Sequence, residues 1–124
     1  MGMYAGISVL VLEDDNMCRA LTRNVLLAAG FKVMCARDVG EALRFVASGA
    51  KIDLAVVDVK MPRGQPHGIA FARMAQLQHP GMKVVLMSAS VMPGEFSLVD
   101  ENDMFLRKPF APDHLLEMVT RAAA

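Results

Sequence analysis

Apolar residues in this chain gather into short runs separated by polar or helix-period segments. The runs Ile7–Leu12, Lys32–Ala36, Leu54–Val57, Val84–Met87 and Met104–Leu106 have the length and composition of strands. Leu54-Ala55-Val56-Val57 holds no polar residue, which predicts a central strand covered on both faces. A helix is expected from Asn16, with Leu21, Val25 and Ala28 on one face and Gly30 as its stop. Asp38-Val39-Gly40-Glu41 reads as a cap with an acidic residue three positions on, opening a helix that carries Ala42, Leu43 and Val46 and ends near Gly49. A third helix over Ile69–Leu77 is closed by Pro80 and Gly81. A short helix over Glu95–Val99 follows the interrupting Pro93 and Gly94. Pro112 suits the first turn of a last helix with Leu115, Met118, Val119 and Ala122 as its buried stripe. Strands alternating with helices imply repeated βα units, hence an α/β domain with a parallel sheet.

An open parallel sheet binds its ligands at the carboxyl ends of its strands. Glu13 and Asp14, then Asp58, Ser88 and Lys108 all stand at such ends, so they should converge although they are far apart in sequence. Three carboxylates suit a hard divalent cation such as Mg²⁺, which takes oxygen ligands and makes a cluster of like charges tolerable. A carboxylate can also act as a nucleophile and form an aspartyl-phosphate, and Asp58, alone after the most apolar strand, is the natural choice. A hydroxyl from Ser88 and an ammonium from Lys108 would then hold the phosphoryl oxygens. Each residue alone has a plainer explanation. An acidic pair after a strand can be a solvated turn or a helix cap, Asp58 can cap a loop, and serine is common at strand ends. The combination in this order carries the signal.

Composition narrows the field. The 124 residues fit one domain, and a hydrophobic fraction of 54% is ample for a core. Thirteen basic and 13 acidic residues balance, with no basic stripe, which argues against direct nucleic-acid binding. No apolar stretch is long enough for a membrane span, and the first residues form neither a signal peptide nor a myristoylation site. Cys18 and Cys35 form neither a disulfide framework nor a metal cluster, so a reduced cytoplasmic setting is expected. His67, His79 and His114 lack ligand spacing and read as solvated surface residues. The 11 methionines read as core filling.

Four segments carry a resemblance: Val9-Leu10-Val11-Leu12-Glu13-Asp14-Asp15, Asp53-Leu54-Ala55-Val56-Val57-Asp58-Val59-Lys60-Met61-Pro62, Val84-Val85-Leu86-Met87-Ser88-Ala89 and Phe105-Leu106-Arg107-Lys108-Pro109-Phe110. Over essentially its full length the chain resembles the receiver domains of bacterial two-component response regulators. The resemblance implies a doubly wound, flavodoxin-like (βα)5 fold with a five-stranded parallel sheet of order 2-1-3-4-5. It implies one receiver unit over residues 1–124, with no output domain in this chain. Asp58 would accept a phosphoryl group from a phosphohistidine on a sensor histidine kinase or a histidine phosphotransfer protein. Glu13, Asp14, Asp58 and the backbone carbonyl of Lys60 would hold Mg²⁺, with Mn²⁺ or Ca²⁺ able to stand in for it in crystals. Ser88 and Phe105 match the family's switch pair. The Lys108–Pro109 bond is cis in such domains.

The chain departs from the family in three places. Arg63, Gly64, Gln65, Pro66 and His67 precede Gly68, a longer loop than usual, with His67 where the family often has Asp. The stretch from Ser88 to Lys108 is shorter than in many members. Lys60 places a long cation near the acceptor, where it either pairs with Glu13 in the empty site or alters how fast water reaches the phosphoryl group. Three functions compete. One is a signalling module, monomeric or dimerising on phosphorylation, that controls a downstream target or relays the phosphoryl group. Another is a pseudo-receiver that binds partners without phosphorylation control. The last is a Mg²⁺-dependent phosphohydrolase of the haloacid dehalogenase type, against which stand Glu13-Asp14-Asp15 in place of that family's Asp-x-Asp and the lack of a cap domain. The signalling reading makes the chain a phosphoacceptor with autocatalytic transfer and autodephosphorylation, and not an enzyme.

Overall fold

The structure, a computed structural model, describes residues 4–62, 64–89 and 99–124. Among these residues the elements run β1 (Ser8–Leu12), α1 (Asn16–Ala28), β2 (Lys32–Ala36), α2 (Val39–Ala47), β3 (Leu54–Asp58), α3 (Gly68–Gln78), β4 (Lys83–Ser88), β5 (Met104–Arg107) and α4 (Pro112–Ala123). The five strands form one parallel sheet in the order β2-β1-β3-β4-β5, the expected doubly wound arrangement. The helix expected over Glu95–Val99 falls, apart from Val99, outside the described residues.

Alternate strand residues point to opposite faces, and both faces are covered. Leu10, Leu12, Ala55, Val57 and Leu86 pack under α2 and α3, where Val46, Ile69, Phe71 and Ala75 meet them. Val9, Val11, Leu54, Val56 and Val85 pack under α1 and α4, against Leu26, Leu115 and Val119. β1 and β3 are buried at every position, which is why neither run shows polar alternation. At the sheet's other end, the Tyr4 ring stacks on Phe31 with centroids 4.6 Å apart.

Caps set the helix starts. Asp15 accepts from the Cys18 amide at 2.7 Å, and Asp38 from the Glu41 amide at 2.8 Å. Glu41 reaches back to the Arg37 amide at 2.9 Å, one residue earlier than in a reciprocal capping box. Gly30 ends the first unit with φ 100°, a conformation L side chains rarely adopt.

Three expectations are corrected. The buried row of α1 is Thr22 and Leu26, with Leu21 41% exposed, Val25 only half-buried and Ala28 exposed. Thr22 can occupy the core because its hydroxyl donates to the Cys18 carbonyl at 2.8 Å. In α2, Ala42 and Val46 are buried while Leu43 is 37% exposed. Finally, two of the three histidines are structural. His67 is the N-cap of α3, its Nδ1 accepting from the Ala70 amide at 3.1 Å, and His79 Nε2 lies 3.1 Å from the Val46 carbonyl oxygen. Among the methionines, Met82 and Met87 fill the core, but Met17 is 83% exposed.

Candidate functional site

Strand register places the chemistry. Leu12 lies opposite Val57, so Glu13 and Asp58 leave the sheet side by side. Asp58 is paired with Met87, Ser88 follows one step on, and Arg107 lies opposite Ser88. The Lys108 amide donates to the Ser88 carbonyl at 2.9 Å, which carries the β4–β5 pairing up to the lysine. The Lys108–Pro109 peptide is cis.

The side chains meet at the carboxyl edge. Glu13 is fully buried and Asp58 nearly so, whereas Asp14 is exposed. Lys108 Nζ is ion-paired directly with Glu13 Oε1 and lies 3.4 Å from Asp58 Oδ2. The Lys60 amide donates to Asp58 Oδ1 at 3.4 Å. Asp14, Asp58, Lys60, Ser88 and Lys108 line a cavity of about 400 Å³ together with the Val59–Pro62 turn. A second hollow of about 590 Å³ adjoins it across Lys108, walled by Met17, Cys18, Leu21, Pro109 and Phe110.

Gly68 explains how tightly α3 seats against Asp58. A Cβ at this position would stand 2.0 Å from the Asp58 carbonyl oxygen and 2.7 Å from Val57 Cγ1. The Gly68 amide also donates to the Val59 carbonyl at 2.8 Å. The longer loop before it is tied down as well, since Gln65 Oε1 accepts from the Val39 amide at 3.1 Å and joins it to α2.

Crowded carboxyls divide their charge unequally. Burial and the neighbouring Glu13 raise the pKa of Asp58 to about 7. Burial pushes Glu13 upward too, but hydrogen bonds with Asp58, Cys18 and Lys108 outweigh it and bring the group down to about 2. Asp14 is raised by partial burial and by Glu13. Burial lowers Lys108, yet Glu13 and Asp58 more than compensate and leave it above the ordinary lysine value. One ammonium thus faces three carboxyls, and further positive charge would be welcome.

A hard divalent cation fits this donor set. One carboxylate oxygen from each of Glu13, Asp14 and Asp58 lies within 4.8 Å of the others. Two oxygens across an octahedral Mg²⁺ stand about 4.2 Å apart, given Mg–O distances near 2.1 Å. The residues present suffice for the protein's share of such a site.

The sequence anticipated this convergence of Glu13, Asp14, Asp58, Ser88 and Lys108. Phe105 stands apart from them, 45% exposed on the edge strand β5. The suggested Lys60–Glu13 pair is corrected. Glu13 is fully buried and takes Lys108 as its partner, which leaves the exposed Lys60 side chain without that role. Sequence reasoning missed Cys18, whose side chain helps hold the pKa of Glu13 down, and Arg19, whose guanidinium reaches the acidic loop. The only signal for either was its place on the first turn of the helix that follows the acidic pair.

Comparison with known proteins agrees with the architecture. The response regulator receiver domain family matches residues 9–120. The response regulator MprA of Mycolicibacterium vanbaalenii is 33% identical over 112 residues, which is 89% of this chain and 47% of that protein. MprA of Mycobacterium avium is 34% identical over 110 residues, 87% of this chain and 47% of its own length. The chain therefore spans about half the length of these curated relatives. Among solved structures, a response regulator receiver protein from Sinorhizobium medicae superposes with a TM-score of 0.86 at 26% identity, covering 94% of each chain. The Vibrio cholerae chemotaxis protein CheY4 gives 0.81 at 27% identity, covering 95% of this chain and 99% of that one.

Proposed function

This chain belongs to the response regulator receiver family, and from that premise we propose that Asp58 is its phosphoacceptor. The observation that carries the reading is the position of the Asp58 carboxyl. It sits in a cavity open to solvent, within a cation's reach of Glu13 and Asp14 and 3.4 Å from Lys108 Nζ. A carboxylate oxygen of Asp58 attacks phosphorus of a phosphohistidine, so an O–P bond forms as the N–P bond breaks. The imidazole nitrogen keeps the electron pair and later takes a proton from water. Phosphoryl transfer of this kind depends mainly on positioning and charge neutralisation.

The roles follow from placement. Lys108, already held by Glu13, pairs with a phosphoryl oxygen as charge arrives on Asp58. The Ser88 hydroxyl, one step along β4 from the level of Asp58, bonds another. Phe105 then exchanges its exposed position for one behind Ser88, which alters the β5 surface. Glu13, Asp14, Asp58 and the Lys60 carbonyl are the groups that would hold Mg²⁺. When bound, the cation supplies the positive charge that keeps Asp58 ionised and screens the incoming phosphoryl oxygens.

The donor is a sensor histidine kinase or a histidine phosphotransfer protein in the cytoplasm. The neighbouring hollow, with Met17 and Leu21 exposed beside it, offers a protein donor an apolar footing next to the acceptor. Residues 1–124 act as one receiver unit that switches a protein target or passes the phosphoryl group on, without turnover of a substrate. It binds no nucleic acid and enters no membrane. It is monomeric, or dimerises on phosphorylation. No helix among the described residues is long and apolar enough to cross a membrane.

The test is incubation with Mg²⁺ and acetyl phosphate, followed by intact-mass measurement. One labile phosphoryl adduct is expected, absent in Asp58→Asn and in the presence of a chelator. A protein that forms no adduct acts as a pseudo-receiver, and steady hydrolysis of phosphomonoesters would make it a phosphohydrolase.

A further inference from the structure

We infer that Arg19 is a positioning residue for the cation site, and that it sets where the carboxylates of Glu13 and Asp14 stand. Its guanidinium bonds the backbone of both residues. Nη1 donates to the Glu13 carbonyl at 3.0 Å and to the Asp14 carbonyl at 3.4 Å. Nη2 donates to Asn16 Oδ1 at 2.6 Å, and the Arg19 amide closes the first helical bond on the Asp15 carbonyl at 2.9 Å. One half-buried side chain thus fastens the end of β1, the acidic turn and the start of α1 to each other.

The need for such a fastening follows from the local chain. Between Leu12, the last residue of β1, and Asn16, the first of α1, lie only the three residues that carry the acidic charge. Their carboxyls repel one another, and Asp15 spends its side chain on capping α1. A planar guanidinium can reach two carbonyls and a side-chain amide together, whereas an ammonium offers a single compact charge. The cation charge of Arg19 is itself unfavourable beside a metal site. Its presence makes sense if the gain in geometry exceeds that repulsion.

Those two effects have opposite signs, which gives a decisive experiment. This inference rests on the cation-dependent phosphoacceptor reading, so the parent protein is measured first. Mg²⁺ binding is followed by titration calorimetry, and Mn²⁺ binding by loss of its free-ion electron paramagnetic resonance signal. Removing a nearby positive charge should tighten cation binding if electrostatics alone mattered. Loss of positioning should weaken it, by about 10- to 100-fold, the usual effect of removing a group that orients metal ligands. Arg19→Ala is therefore expected to raise the Mn²⁺ dissociation constant at least tenfold, and Arg19→Lys to fall between it and the parent. Arg23→Ala, which removes the same charge from an exposed position on α1, should leave the constant unchanged or lower it. Circular dichroism of the cation-free variants checks that folding is intact. A constant for Arg19→Ala equal to or tighter than the parent's would overturn the inference while leaving the phosphoacceptor reading in place. A parent that neither binds the cation nor takes a phosphoryl group would overturn both.

Discussion

Lys108 and Gly68 show how far single residues determine this site. Lys108 is the countercharge for a fully buried carboxylate, and breaking a buried pair by removing one partner costs about 3–5 kcal/mol. Lys108→Met should therefore lower the stability measured by urea denaturation by about 3 kcal/mol without divalent cation. Saturating Mg²⁺ should restore much of that loss, because the ion replaces the missing charge. An equal loss with and without Mg²⁺ would mean that the cation and the lysine do not serve the same carboxylates. Gly68→Ala meets a different obstacle, since the added methyl collides with the Asp58 backbone as well as with the stiff side chain of Val57. Such overpacking costs about 1–3 kcal/mol, and α3 must move away from Asp58 to relieve it. Slower adduct formation from acetyl phosphate should accompany the drop in stability, and an unaltered rate would show that the seating of α3 is irrelevant to the reactivity of Asp58.

At the scale of elements, the least expected feature is the join between α3 and the entry to β5. Arg73 Nη2 lies 2.6 Å from both carboxylate oxygens of Asp103, whose side chain is only 2% exposed. Asp103 in turn accepts from the Asp100 amide at 2.9 Å, which sets the turn before β5. Arg73→Met should cost about 3–5 kcal/mol by stranding the buried carboxylate. In the double variant Arg73→Met/Asp103→Leu no such charge is left. Its loss should be smaller than the sum of the single losses, and strict additivity would count against a coupled pair.

Elements also mark where the sequence stopped being informative. The central strands could be read because an apolar run without alternation has one common explanation, a strand covered on both sides, whereas the order of the five strands came from the family resemblance. The convergence of Glu13, Asp58 and Lys108 followed, since each stands at the carboxyl end of a strand. The face of α1 was misplaced because hydropathy ranks Leu21 above Thr22, and only the hydroxyl bond to Cys18 makes Thr22 a core residue. His67 and Arg19 were missed for the same reason. Their significance lies in backbone groups they bond, and backbone groups leave no trace in composition.

For the molecule as a whole, folding and cation binding must be linked. Three carboxyls are gathered around one lysine only in the native state, and a ligand that binds only that state stabilises it by RT ln(1 + [L]/Kd). At a Mg²⁺ concentration 100 times the dissociation constant this amounts to about 2.7 kcal/mol. The thermal midpoint should rise accordingly with Mg²⁺ and return when a chelator is added. Asp14→Asn should blunt the response without unfolding the protein, because Asp14 is exposed. A midpoint indifferent to Mg²⁺ would leave the acidic cluster without its proposed occupant.

Tyr4 is the chain's one tyrosine, there is no tryptophan, and its ring lies flat on Phe31 at the floor of the sheet. The length of β1 separates that stack from the acidic crevice by roughly 16 Å, at about 3.3 Å per strand residue. Native ultraviolet emission therefore reports on the end of the molecule remote from Asp58. An indole introduced by Phe105→Trp would give the opposite end its own colour, so that local switching and global melting could be followed in one cuvette.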